Sequence, residues 1–189
     1  MLSYRFHTDA ITLNPRDTGS TMPLSISSVG VQSFVTTLGA LSKILDKAAA
    51  HCAAKKIDPA VVMQMRLAPD MFPFVKQVQL ACDFAKNTLG RLTGEPPKFP
   101  DEEKTLDDLK ARIAKTIDYV NSFKAGEIDA TEEKDVTFPI GPQNTMTLKG
   151  AQYLIGFALP NFYFHATTAY DILRQVGVEI GKRDFLGRT

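Results

Sequence analysis

Apolar residues recur every three or four positions along most of this chain. Each such stretch predicts an amphipathic helix with one face toward a core. In the first, Val31, Phe34, Leu38, Leu41, Leu45, Ala48 and Cys52 form an unbroken stripe from Ser28 onward. Asp58-Pro59 then supplies an N-cap and a first-turn proline for a short helix that ends in a bend at Ala68-Pro69-Asp70. A second long helix is expected from Met71, with Val75, Val78, Cys82, Ala85, Leu89 and Leu92 inward. Leu80 and Phe84 flank that stripe and give the helix more than one neighbour. Gly94 and Pro96-Pro97 stop it. Pro100-Asp101 reads as the opening of a third helix with Leu106, Leu109, Ile113, Ile117 and Val120 inward. Asp107, Asp108, Lys110, Arg112 and Lys115 read as its solvated face.

The period changes from helical to alternating at Val136, Phe138 and Ile140. It resumes at Met146 and Leu148 after Gly141-Pro142-Gln143-Asn144, which predicts a small β-hairpin with Pro139 at an edge. Gly150 leads into a last helix, Tyr153 to Val176, expected to bend at Pro160 and to end at Gly177. Beyond it, Gly181 to Gly187 is too short for a further element and is expected to pack on the bundle through Phe185 and Leu186. The whole reads as all-α, a four-helix bundle with a short β-hairpin before the last helix. Residues 1–23 lack any sustained apolar period and read as a flexible extension, with residues 24–189 as a single domain.

Composition narrows the classes. The 189 residues are 44% hydrophobic and 23% charged, an ordinary globular balance that excludes disordered and fibrous chains. Twenty-two basic residues nearly cancel 21 acidic ones, so the net charge of +1 gives no global electrostatic reason for a nucleic-acid partner. No apolar run approaches the ~20 residues of a membrane span. The two cysteines make no disulfide framework and fit a reducing, cytoplasmic setting. Cys52 and Cys82 both fall on core stripes, as buried structural thiols.

The sharpest candidate chemistry lies in the last helix. Asn161 and His165, four apart, project side by side from an apolar stripe, and Tyr163 adds a phenol nearby. Bundle cores build metal sites from paired ligands on facing helices, so His165 is either a ligand or general base, or a core histidine bonded to Asn161, Asp70 or a tyrosine. His7 and His51 add no third nitrogen ligand. Oxygen donors from Asp70, Gln79, Asp83 or Asn161 would suit a harder divalent metal ion. The aromatic run Phe162, Tyr163, Phe164 covers every side of the helix; it reads as core packing or, because a helix apolar all round needs a second burying surface, as part of a ligand pocket or a homodimer interface.

Three segments carry a family resemblance: Ala68-Pro-Asp-Met-Phe-Pro-Phe, Leu159-Pro-Asn-Phe-Tyr-Phe-His-Ala-Thr-Thr-Ala-Tyr-Asp-Ile-Leu-Arg, and Gly177-Val-Glu-Ile-Gly-Lys-Arg-Asp-Phe-Leu-Gly. Together they resemble the domain-of-unknown-function family numbered nineteen ninety-three, over about Leu24 to Gly187. That family looks like a branch of the DinB/YfiT-like superfamily of metalloenzymes, which implies a four-helix bundle, often homodimeric. The resemblance further implies a site with one histidine from the second helix and a His-x-x-x-His pair from the last. His165 matches the second member of that pair, Asn161 stands in the first, and Gln79 or Asp83 would have to replace the second-helix histidine. The expectation is therefore a DinB-like bundle with little or no metal at the usual site and room for a small-molecule ligand. The alternative is a metal-dependent thiol S-transferase or hydrolase with a site remodelled around His165, Asn161 and Tyr163 as catalytic groups and His165, Asn161, Asp70 and Gln79 as ligands.

Overall fold

The computed structural model describes residues 24–188. The expected flexible extension, residues 1–23, lies outside the described residues. Helix α1 runs from Ile26 to Lys55, α2 from Pro59 to Gln64, α3 from Phe74 to Thr93, α4 from Leu106 to Asn121 and the short α5 from Ala125 to Asp129. Strands β1 (Asp135–Pro139) and β2 (Thr145–Lys149) follow. After them come α6 (Gly150–Gln152), a π-helical segment (Tyr153–Ala158), α7 (Leu159–Val176) and the single turn α8 (Lys182–Phe185).

Each long helix buries the stripe its sequence marks. Phe34, Leu38, Leu41, Leu45 and Cys52 of α1 meet Val78, Cys82, Leu89 and Leu92 of α3, Leu109 and Ile113 of α4, and Phe162, Ile172 and Leu173 of α7 in one continuous core. Helix α3 packs on α7 and α4, while α1 packs on α4, α7, α5 and α8. Both cysteines are free and buried. Ser25 caps α1, and Asp129 of α5 accepts from the backbone N–H and the hydroxyl of Ser27, satisfying a further donor at that helix end. The hairpin is antiparallel, pairing Val136 with Leu148 and Phe138 with Met146, and it buries Val136 and Phe138. No described helix is long and apolar enough to cross a membrane.

Four local expectations give way. Helix α3 starts at Phe74 rather than Met71, because Pro73 biases Phe72 away from helical dihedrals and itself serves as the N-cap. Helix α4 starts at Leu106 rather than at Asp101; Thr105 and Asp108 form a reciprocal capping box. Residues 94–105 instead form an irregular strap across α3 and α4. The bend expected at Pro160 is taken up earlier. Pro160 has no N–H and would crowd the carbonyl of Gly156, and the preceding turn widens so that Leu159 N–H reaches back five residues to Leu154. The tail after Gly181 also forms a turn of helix, α8, whose Asp184 accepts from Gly181 N–H. As expected, Phe185 packs on the bundle, against Tyr170.

Arg112 is the clearest departure. Expected on the solvated face of α4, its side chain is only 2% exposed and bonds the strap. Nη1 donates to Glu103 and to the Pro100 carbonyl, both at 3.0 Å, and Nη2 lies 2.9 Å from Asp83 and 3.1 Å from Asp101. Burial works against its charge, but the hydrogen bond to Glu103 and the charges of Asp83 and Glu103 more than offset this and raise its pKa. Lys86 donates to the Pro97 carbonyl at 2.6 Å, and the Phe99 ring lies 4.9 Å from its ammonium and 4.1 Å from that of Lys115.

Candidate functional site

His165 sits on the seam between α7 and α3, 9% exposed. Its neighbours are aromatic: the Phe84 ring stacks on the imidazole at 5.6 Å, and Phe164 meets it edge-on at 5.3 Å. Its polar partner is Gln77, across the seam at 2.7 Å from Nδ1. Gln77 Nε2 donates to the Phe72 carbonyl at 3.1 Å, so its Oε1 is the atom turned to the ring. A carbonyl oxygen only accepts, and the proton of the neutral imidazole is therefore on Nδ1. Nε2 keeps its lone pair. Among the described residues the one buried side-chain nitrogen or oxygen without a hydrogen-bond partner is Arg112 Nε, so the unpartnered His165 Nε2 retains contact with solvent.

Burial, with a smaller push from the Lys76 ammonium, brings the His165 pKa down to about 4. The unfolded chain takes up this proton near pH 6.5. Above that pH both states are neutral and the contribution to stability is complete. As pH falls from about 6.5 to 4, only the unfolded state is protonated, and stability is lost. Discounted for the ring's residual water contact, the loss is about 2 kcal/mol. Urea unfolding at about pH 7.5 and 4.5 measures it; a His165→Gln variant is expected to lack this component.

The other sequence candidates do not gather around this ring. Asn161 donates from Nδ2 to the Phe157 carbonyl one turn back at 2.7 Å, closing on its own helix and not on His165. Gln79 is buried but donates to Glu103 of the strap at 2.7 Å. Two residues of α-helix turn the chain by about 200°, which sets Gln79 on the α4 side of α3 and Gln77 on the α7 side. Asp83 pairs with Arg112. Asp70 is exposed on the turn ahead of α3. Tyr163 is 38% exposed and lines a different hollow with Gln32, Thr36 and Phe185. Sequence reasoning missed Gln77, whose only outward sign is a polar side chain between the core positions Phe74 and Val78.

The model for the family described as Domain of unknown function (DUF1993) matches residues 27–186. The chain belongs to this family. The crystal structure of a DinB family member protein from Shewanella denitrificans is similar to it, with a TM-score of 0.79 and 40% sequence identity over 87% of this chain and 93% of that one. No curated protein matches. The family is thus a DinB-like branch, and the helical bundle with its hairpin before the last long helix is the DinB-like fold.

The superfamily implies a metal ion, and the residues present do not fit one of that kind. Among the described residues no three His, Cys, Asp or Glu side chains converge as a ligand set. Of the amides that could replace the missing histidines, Asn161 bonds the Phe157 carbonyl of its own helix through Nδ2, and Gln79 bonds Glu103 of the strap through Nε2.

Proposed function

We propose that this member of the family works without a tightly held metal ion and offers His165 Nε2 as a hydrogen-bond acceptor to a small, mostly apolar ligand. The Gln77–His165 pair carries this reading. It fixes the tautomer, and the two flanking phenylalanines keep the imidazole neutral with its lone pair open. A depressed pKa makes a weak base but an uncharged acceptor, which suits recognition of a ligand hydroxyl or N–H better than proton abstraction at neutral pH. Cytoplasmic placement agrees with the two free thiols. A homodimer would cover the exposed Ile155 and Phe164 of the last helical stretch.

One observation favours the alternative of a remodelled metalloenzyme. A histidine that ligates through Nε2 characteristically gives its other N–H to a carbonyl or carboxylate, as His165 does to Gln77. Elemental mass spectrometry separates the readings, on tag-free protein incubated with manganese, iron, nickel and zinc salts and then desalted, beside His165→Ala. Metal well below one ion per chain in both samples is the expected result. One ion per chain that disappears in the variant would replace the proposal with the metalloenzyme reading.

A further inference from the structure

Arg91, near the end of α3, has no assigned role and stands in an unusual setting. Its Nη1 donates to the phenol of the fully buried Tyr153 at 3.0 Å, and its guanidinium carbon lies 6.0 Å from the centre of the Phe138 ring. These two contacts, from the π-helical segment and from β1, hold the planar group in place. Among the described residues no carboxylate pairs with it. Nη1 being taken, Nε and Nη2 remain as the side-on edge that matches a carboxylate with two parallel hydrogen bonds.

This cation lines a hollow of about 160 Å³ whose other walls are mainly apolar: Leu80, Phe84, Phe157 and Pro139. Phe84 and Phe157 meet at 6.1 Å with their planes tilted by 56°, and Phe157 packs in turn on Phe138 at 4.5 Å. Asn87 and Asp83 complete the rim. The Asp83 carboxylate is committed to Arg112 at 2.9 Å and lies 3.5 Å from Lys86, so it does not neutralise Arg91. A space of about 150 Å³ suffices for a benzene-sized ring. A ring-sized apolar hollow with one pre-oriented, unpaired guanidinium has the chemistry of a small aromatic acid site: ring on Phe84 and Phe157, carboxylate on Arg91.

We infer that the hollow between α3, the hairpin and the π-helical segment binds a small aromatic carboxylate through Arg91. This goes beyond the reading of His165. The two sites share only Phe84, and Arg91 lies fourteen residues beyond Gln77 on α3, about 21 Å of helix rise.

Benzoate is the probe, followed by two-dimensional amide NMR, with benzyl alcohol and acetate as its neutral and ringless counterparts. Benzoate is expected to bind with a dissociation constant of about 1 mM or tighter and to move the resonances of Phe84, Asn87 and Arg91. Benzyl alcohol and acetate should each bind about tenfold more weakly, as should benzoate to Arg91→Gln. Leu80→Trp fills the hollow while keeping both Arg91 and Tyr153, and should abolish binding, which guards against a variant that merely perturbs Tyr153. Unchanged benzoate affinity in either folded variant, equal affinity for benzyl alcohol, or no benzoate binding to the unmodified protein overturns the inference. Benzoate binding is read on Arg91 and Leu80 and metal content on His165, so failure here is distinct from failure of the His165 proposal.

Discussion

Gly150→Ala is expected to cost about 3 kcal/mol or more, a fall in melting temperature of roughly 6–12 °C for a chain of this size. A Cβ at this position would lie 2.0 Å from the Thr131 carbonyl oxygen and 3.0 Å from its carbon. The obstacle is backbone, and that backbone is held. Gly150 N–H donates to the Lys134 carbonyl at 2.9 Å and Ala151 N–H to that of Glu132 at 3.0 Å, so the turn ahead of the hairpin satisfies the first donors of the last helical stretch. Moving the turn away would strand those donors, and Leu92, 3.1 Å from the same point, closes the remaining side. Gly156→Ala is the control. Nothing lies within 4 Å of its added carbon, and thermal melting of the two variants side by side should show a loss for Gly150 alone. Equal melting temperatures would mean that the turn yields freely.

The second large effect is expected at Arg112. Replacement by methionine keeps much of the volume but leaves Glu103, Asp83 and Asp101 facing each other without their common cation. Removing one partner of a fully buried ion pair costs ~3–5 kcal/mol; with Asp101 and Asp83 still partly reached by water, about 2–4 kcal/mol is expected here. The strap should loosen first, because it also loses the bond from Arg112 to the Pro100 carbonyl. Amide hydrogen exchange through residues 94–105 is then expected to speed up ahead of global unfolding. Adding Glu103→Gln to the methionine variant removes one stranded charge and should recover part of the loss. Urea unfolding of the single and double variants decides the matter: a double variant no more stable than the single would mean that charge imbalance is not what the arginine relieves.

The contrast between these residues and the helix stripes shows what a sequence reveals here. The stripe from Val31 to Cys52, the alternation at Val136 and Phe138 and the position of Gly177 depend on residues close in sequence, and the helices, hairpin and core follow from them. Arg112 has the same local pattern as Lys110 and Lys115, yet it is buried because three carboxylates arrive from α3 and the strap, nine to twenty-nine residues away. His165 shows the same limit. Its burial was legible from its neighbours, whereas its partner Gln77 lies eighty-eight residues upstream and resembles Gln79 in every local respect. Tyr163 is two residues from His165 in sequence but about 200° round the helix from it, which is why proximity along the chain did not become proximity in space.

The widened turn from Tyr153 to Ala158 acts as a phase setter between two half-helices. One residue fewer would rotate everything upstream by about 100° relative to α7. Tyr153 and Phe157 would then leave the ring of Phe138, and the phenol that steadies Arg91 would point elsewhere, while His165 and the core face of α7 stayed where they are. The helix thus carries two addresses on one rod, and a single extra residue keeps both delivered to the same side of α3.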